Sequence, residues 1–168
     1  MPNWCKGVLK VRGKKKDLLN FINNGIERLG WPRIEEEYTN YPLNIEEDEY
    51  GDLFIPETDQ EHHSWLYFKD SRRLFIDENV QWYWNDDTEE ELEEVYVQCL
   101  DIKQAWNLEP EYFKKISKEF ELDFKIIGLE CGCQFSQEIE VINGEITKYE
   151  ENEYEDYNWE VYDPRIGG

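Results

Sequence analysis

The sequence predicts an α+β fold in which an antiparallel sheet carries helices on one face, with a ferredoxin-like arrangement as the specific form. Its candidate elements run in the order strand, helix, strands, helix, strands. The chain has 168 residues, 39% hydrophobic and 15% aromatic, so it holds enough large apolar side chains for a buried core. We expect one compact domain, made of a strand–helix unit (1–34), a long acidic insertion (35–61) and the remainder of the sandwich (62–168).

The first unit predicts a strand followed by a helix. Residues 8–13 alternate in character and end in glycine, as a strand does. From about Lys15 to Leu29, apolar residues recur every three or four positions and give one apolar face. Gly30 then follows as a C-cap, with Pro32 just beyond it. The apolar face consists of Leu18, Leu19, Ile22, Ile26 and Leu29.

The middle of the chain predicts a long irregular insertion and several short strands. Residues 33–61 show no sustained period and contain two prolines and a glycine, with a short hairpin expected around Asp52–Ile55. Strands are expected at Ser64–Lys69, Arg73–Asp77 and Val80–Trp84. An acidic connection with a helical turn follows at Asn85–Glu91.

The second half predicts a helix between strands. A strand at Glu94–Ile102 places Val95, Val97 and Cys99 on one side, with Cys99 in the core. A helix runs from Glu109 to Phe120, with Pro110 in its first turn. The Asn143-Gly144 pair is a strong signal for a two-residue hairpin turn. The remaining expected strands are Leu122–Glu130, Cys133–Ile142, Ile146–Glu150 and one around Trp159–Tyr162.

The charge is strongly acidic and comes in blocks. There are 18 Lys and Arg against 40 Asp and Glu, a net charge of −22. Residues 1–34 carry +6, whereas residues 35–61 carry −11 with no basic residue. This balance argues against ordinary binding of a phosphate backbone and favours a partner with a basic surface. Without a membrane-spanning apolar stretch or a secretory leader, we expect a cytoplasmic protein.

Two parts of the chain resemble the YubB-like family of phage and plasmid proteins. The first is the opening Met-Pro-Asn-Trp-Cys (1–5) with the strand, glycine and Leu-rich helix after it. The second contains Trp106, the Pro110 helix, the 123–129 strand and the hairpin from Phe135 through Asn143-Gly144. The likeness covers about residues 1–30 and 95–150. It implies a ferredoxin-like C-terminal domain and a mobile genetic element as the setting, where small accessory proteins often antagonise bacterial defence.

The main functional hypothesis is counter-defence by charge mimicry. A Cas9-type effector, or a restriction enzyme, holds nucleic acid in a basic channel, and a rigid array of carboxylates can occupy that channel. We therefore expect an anti-CRISPR inhibitor that acts through the acidic blocks 35–61, 85–94 and 150–160, in the host bacterial cytoplasm. The predicted partner-binding residues are Glu35, Glu36, Glu37, Glu46, Glu47, Asp48, Glu49, Asp86, Asp87, Glu89, Glu90 and Glu91.

The first alternative is a small ribonuclease that inactivates an RNA such as a guide RNA. His62 and His63 are the only histidines, and either could act with Glu61 as a general acid–base pair. The chain has no Gly-rich phosphate loop, serine nucleophile elbow or HExxH motif. For this ribonuclease, the predicted RNA contacts are Lys10, Arg12, Lys14, Lys15 and Lys16.

The second alternative is a non-catalytic interaction module of a mobile element.

The four cysteines predict free thiols, with no metal and no cofactor. Cys131 and Cys133 flank Gly132, and Cys5 and Cys99 could complete a four-sulfur zinc site. The usual CxxC knuckles are absent, so zinc is not expected. Gly132 is expected to mark a bulge.

Overall fold

The computed structural model describes residues 3–31, 40–41, 46–47, 53–54, 63–76 and 89–167. These residues form eleven strands, three helices and a 3₁₀ turn at Glu91–Glu93. The helices are α1 (Lys15–Gly25), α2 (Pro110–Phe120) and α3 (Tyr157–Glu160). The strands are β1 (Trp4–Lys14), β2 (Ile26–Trp31), β3 (Asn40–Tyr41), β4 (Glu46–Glu47), β5 (Leu53–Phe54), β6 (His63–Phe68), β7 (Leu74–Ile76), β8 (Val95–Ala105), β9 (Asp123–Glu130), β10 (Phe135–Ile142) and β11 (Glu145–Glu153).

The main sheet has nine strands in the order β11-β10-β9-β1-β8-β7-β6-β2-β3, and every neighbouring pair is antiparallel. The prediction of an α+β fold with an antiparallel sheet is confirmed. The ferredoxin-like pattern contains only four strands, so this sheet is larger than predicted. Strands β6 and β7 lie between β8 and β2, while β10 and β11 extend the opposite edge.

Two predicted elements are wrong. Helix α1 ends at Gly25 rather than Leu29, because Ile26–Trp31 pairs with β6 as strand β2. The segment around Trp159–Tyr162 is not a strand, since α3 occupies Tyr157–Glu160. Tyr157 and Val161 are both buried and four residues apart, the spacing of one helix face, whereas the alternating pattern predicts a strand.

The predicted hairpin turn is confirmed and is tied to α2. Asn143 and Gly144 both have positive φ, 49° and 72°, as a type I′ turn requires. Buried Ser117 accepts a hydrogen bond from the amide of Gly144 at 2.9 Å. Its hydroxyl donates to the carbonyl of Leu122 at 2.5 Å. The end of α2 and the β10–β11 turn therefore hold each other in place.

The two faces of the sheet differ in character. On one face, α1 and α2 pack on the central strands through Phe21, which contacts Phe68, Phe120 and Phe124. We call the opposite one the open face. It carries the even-numbered residues of β1, from Trp4 to Arg12, and lies on the side away from α1 and α2. Cys99 also lies on the open face and is exposed, so its predicted place in the core is wrong.

Little of the predicted insertion can be compared with the structure. Only Asn40–Tyr41, Glu46–Glu47 and Leu53–Phe54 are described within 35–61. The last two form a small separate sheet where a short hairpin is predicted. The predicted strand at 80–84 lies outside the described residues. No helix of the described chain has the length and apolar character needed to cross a membrane.

Candidate functional site

Most of the predicted partner-binding and catalytic residues lie outside the described part of the chain. This applies to Glu35, Glu36, Glu37, Asp48, Glu49, Glu61, His62, Asp86 and Asp87. Glu46 and Glu47 form β4, where they pair with β5. His63 is the first residue of β6 and pairs with Trp31. The structure therefore leaves the histidine hypothesis as a prediction.

The acidic connection before β8 is described from Glu89 onward and is partly neutralised. Glu89, Glu90 and Glu91 are exposed at the 3₁₀ turn. Glu93 binds the amines of two predicted RNA contacts, Lys14 at 2.8 Å and Lys16. The two lysines, by hydrogen bonding, hold the pKa of Glu93 at about 2. This end of the sheet is therefore an ion-pair cluster and not a uniform acidic or basic surface.

The Glu93 pair predicts a pH effect. Because its folded pKa lies below the ordinary value of 4.5, ionised Glu93 stabilises the fold above pH 4.5. That contribution is lost as the pH falls from 4.5 towards 2. We expect Glu93→Gln to melt at a lower temperature than the unsubstituted protein at neutral pH. Near pH 2 the two proteins should melt at the same temperature. Thermal unfolding at both pH values measures the difference. An equal difference at both pH values would contradict the assignment.

The predicted basic stretch does not form a single patch. Lys10 and Arg12 lie on the open face, whereas Lys14 and Lys16 turn to Glu93. Arg12 donates two hydrogen bonds to Asp123, at 3.1 and 2.6 Å. Lys15 begins α1, and its amide donates to the carbonyl of Glu94 at 3.0 Å. Only Lys10 and Arg12 therefore belong to one continuous surface.

An open cleft of about 700 Å³ lies where β1 meets α1. Its cations are engaged: Arg12 binds Asp123, Lys14 binds Glu93 and Lys118 binds Glu145. Burial, followed by the nearby Glu121 carboxylate, raises the pKa of Asp17 at its wall. With its cations occupied, the cleft does not offer the unpaired positive charge that a phosphate needs. The residues lining it are Arg12, Gly13, Lys14, Asp17, Val95, Ser117, Lys118, Glu121, Asp123 and Asn143.

The Cys131–Gly132–Cys133 segment is a turn between β9 and β10, with a buried carboxylate beneath it. Glu130 is 1% exposed, and it accepts hydrogen bonds from the amides of Gly132, at 2.8 Å, and Cys133. All four cysteines are free thiols. No group of three His, Cys, Asp or Glu side chains suited to a metal occurs among the described residues. The buried carboxylate is therefore satisfied by the turn that it holds.

Three of the four thiols, those of Cys99, Cys133 and Cys5, should react in a defined order. Cys99 is exposed. A hydrogen bond to Glu130 raises the pKa of exposed Cys133, and burial raises that of Cys5 to about 12. Because the thiolate is the reactive form, a disulfide reagent at neutral pH should modify Cys99 first, Cys133 more slowly and Cys5 only after unfolding. Cys99→Ser should remove the fast phase, and modification of Cys5 in the native protein would contradict this order.

The C-terminal acidic block forms a surface that is described throughout. Strand β11 is an edge strand, and residues 150–163 hold seven carboxylates and no basic residue. Of these, Glu150 binds Lys148 at 3.3 Å and Asp163 binds Arg165 at 2.7 Å. The other five make no ion pair with any residue that the structure describes. They are Glu151, Glu153, Glu155, Asp156 and Glu160.

Two aromatic side chains project from this acidic edge. Trp159 is 86% exposed and Tyr162 is fully exposed. Tyr157 and Val161 are buried, one helical turn apart, so Trp159 between them must point away from the protein. We name the five carboxylates above, with Trp159 and Tyr162, the acidic–aromatic patch.

The acidic–aromatic patch stands on a fixed support. The hydroxyl of Tyr157 donates to the carbonyl of Ile166 at 2.7 Å, and its ring meets Tyr154 edge to face. Tyr154 in turn shares a hydrogen bond of 2.7 Å with Ser136 on β10. The carboxylate of Glu160 accepts from the amide of Glu155 at 3.1 Å. The aromatic residues 159 and 162 are therefore presented by an anchored turn.

The sequence pattern gave a partial signal for this patch. Aromatic residues among the carboxylates of 151–160 predict a folded acidic surface, and the structure agrees for this block. The exposure of Trp159 was not predicted, because a strand at 159–162 does not distinguish it from a core residue. Comparisons with family models, with curated proteins and with solved structures find no match, so the geometry alone carries the functional argument.

Proposed function

We propose that this protein binds a basic protein surface through its acidic–aromatic patch and thereby blocks a nucleic-acid-binding site on its partner. The observation that carries the proposal is that two exposed aromatic side chains, on an anchored turn, lie in the same segment (150–163) as five carboxylates that no described cation neutralises. Acidic residues alone would protect an edge strand from pairing with another chain. That protective role does not account for exposed Trp159 and Tyr162.

The two chemistries of the patch have separate uses in binding. Carboxylates steer a basic partner towards the patch and speed its encounter. Trp and Tyr are the residues that most often dominate the energy of an interface once they enter a pocket. Their rings also attract Arg and Lys through cation–π contacts. A partner that is rich in Arg and Lys and carries a recess for an aromatic ring meets both requirements.

Within that class, a bacterial defence protein is the partner that we favour. Cas9-type effectors hold nucleic acid in a positively charged channel, and restriction enzymes present a similar surface. The resemblance to phage and plasmid proteins suggests the same setting. In this proposal the protein is an anti-CRISPR inhibitor in the host bacterial cytoplasm, and the remaining acidic blocks add to its steering field.

The discriminating experiment incubates the purified protein with a Cas9-type effector, its guide RNA and target DNA, and follows both nucleic acids by electrophoresis. The proposal expects an intact guide and an uncut target when the protein is added before the DNA. A shortened guide would instead support the ribonuclease alternative with His62 or His63. An intact guide with a fully cut target would reject inhibition of this effector and favour the non-catalytic interaction module.

A further inference from the structure

Strand β11 is the last strand of the sheet and, among the described strands, pairs with β10 alone. The amide of Tyr154, just beyond β11, donates to the carbonyl of Gln134 at 2.8 Å. This bond fixes the phase of the ladder, because every second residue of an antiparallel strand bonds to the same neighbour. The even-numbered residues 150 and 152 therefore bond to β10, and the odd-numbered residues turn their backbone groups away from the sheet.

The outward backbone groups belong to Tyr149, Glu151 and Glu153. All three residues are exposed, and no hydrogen bond joins their backbone groups to another residue that the structure describes. The register is regular from 149 to 153, whereas a shift at Thr147 interrupts the earlier part of β11. An added strand would therefore find a regular edge of free N–H and C=O groups over 149–153.

This edge is protected against some strands but not against all. Natural edges are commonly protected by proline, lysine, a bulge or shortness. The regular segment 149–153 reads Tyr-Glu-Glu-Asn-Glu, without proline or lysine. Its three carboxylates oppose pairing with a second copy of this chain, since like charges in facing positions destabilise a pair of strands. They do not oppose a strand that carries Lys or Arg.

The edge remains negative after its ion pairs are counted. Lys148 binds Glu150 at 3.3 Å. Glu151 accepts hydrogen bonds at 2.9 Å from two neutral groups, the amide of Gln137 and a tyrosine hydroxyl. Glu153 makes no ion pair with a described residue. Two of the three carboxylates therefore keep their charge beside the free backbone groups.

We propose that an extended segment of the partner, rich in Lys and Arg, adds to the sheet as a strand beside β11. This inference rests on the proposed function, because it describes how the partner of the acidic–aromatic patch engages the adjacent strand. The outward N–H and C=O groups supply main-chain hydrogen bonds, and the carboxylates select basic side chains. Strand β11 leads directly into α3, which holds Trp159, so one partner can reach both surfaces.

Amide hydrogen exchange followed by NMR tests the added strand residue by residue. The probe is a short peptide of alternating lysine and valine. Saturating peptide should slow exchange at Tyr149, Glu151 and Glu153 about tenfold or more, whereas the amides of residues 150 and 152 should be slow without it. Unchanged exchange at the three outward amides would overturn the proposal. So would protection without peptide that rises with protein concentration, which would assign the edge to a second copy of this chain.

A methylated peptide separates backbone pairing from charge. The same peptide with a methyl group on every amide nitrogen keeps its lysines and loses its backbone donors. We expect it to bind about tenfold more weakly than the unmethylated peptide, as fluorescence anisotropy would measure. Equal binding would show that charge alone attracts the peptide and would overturn the proposal. Absence of binding by the unmethylated peptide at low salt would overturn it as well.

Two substitutions at one position make the same separation in the protein. Glu151→Pro removes an outward N–H that the internal ladder does not use, whereas Glu151→Gln removes the same charge and keeps that N–H. Glu151→Pro should bind the peptide about tenfold more weakly than Glu151→Gln. Equal binding by the two variants would overturn the proposal. If Glu151→Pro does not fold, the methylated peptide still decides the question.

Inhibition of a Cas9-type effector separates this inference from the proposed function. If Trp159→Ala with Tyr162→Ala abolishes inhibition, but Glu151→Pro inhibits as well as Glu151→Gln, the function of the patch stands and the added strand is rejected. If the effector is not inhibited while the peptide still protects the three outward amides, the proposed function is rejected for that effector and the added strand stands.

Discussion

Binding of the proposed basic partner is expected to fall about 100-fold or more when Trp159→Ala and Tyr162→Ala are combined. Hot-spot aromatic residues each cost roughly 2 kcal/mol or more on truncation, and about 1.4 kcal/mol corresponds to a factor of ten. Both side chains project from the surface, so their removal should leave the melting temperature unchanged. The loss of affinity should appear as faster dissociation, which surface plasmon resonance measures.

The carboxylates of the patch should affect a different rate. Glu153→Gln, Glu155→Gln and Asp156→Asn should slow association about tenfold at low salt, because they supply steering rather than close contacts. The matched control is Glu111→Gln, Glu119→Gln and Glu121→Gln at α2, where three exposed carboxylates are removed from another surface. Equal slowing by both triple variants would assign the effect to net charge and contradict a role for the patch.

Phe21→Ala should lower the free energy of unfolding by about 3–5 kcal/mol. Phe21 is fully buried. Its ring centroid lies 5.7 Å from that of Phe68, 5.2 Å from that of Phe120 and 6.0 Å from that of Phe124. It thus joins α1 to the sheet and to α2, and truncation leaves a cavity between them. A typical domain has only about 5–15 kcal/mol of stability, so the variant should be near the limit of folding.

Urea denaturation followed by circular dichroism measures this effect. Asn23→Ala, on the exposed side of the same helix, is the control and should change stability by no more than about 0.5 kcal/mol. Phe21→Leu should retain most of the packing and lie between the two. A loss below about 1 kcal/mol in Phe21→Ala would show that the helices are not joined to the sheet through this residue.

The local patterns of the sequence predict several elements correctly. The errors occur where the structure depends on strand pairing between residues that are far apart in the sequence. The apolar spacing from Lys15 onward correctly predicts α1, but it cannot show that Ile26–Trp31 pairs with β6. Gly25 is where the helix ends, and a side chain there would collide with Phe21. At Asn143-Gly144, the turn depends on those two residues alone, and the prediction is confirmed.

For the candidate surfaces too, local sequence patterns predict some features, and pairing between distant residues determines the others. The alternation of Lys10 and Arg12 on β1 is visible in the sequence, and their common face follows from it. The ion pair of Arg12 with Asp123 depends on the register of β1 and β9, which no local pattern contains. The acidic block 150–160 is visible in the same way. The exposure of Trp159 depends on how α3 is anchored by Tyr157 and Val161, so it required the structure.

The most direct test of the central claim is displacement of labelled DNA from a Cas9-type effector by this protein, followed by fluorescence anisotropy. We expect complete displacement near one molecule of protein per effector, weaker displacement at high salt, and none by the Trp159→Ala, Tyr162→Ala variant at the same concentration. DNA that stays bound at saturating protein, or equal displacement by the variant, would contradict the claim that the acidic–aromatic patch occupies the basic channel.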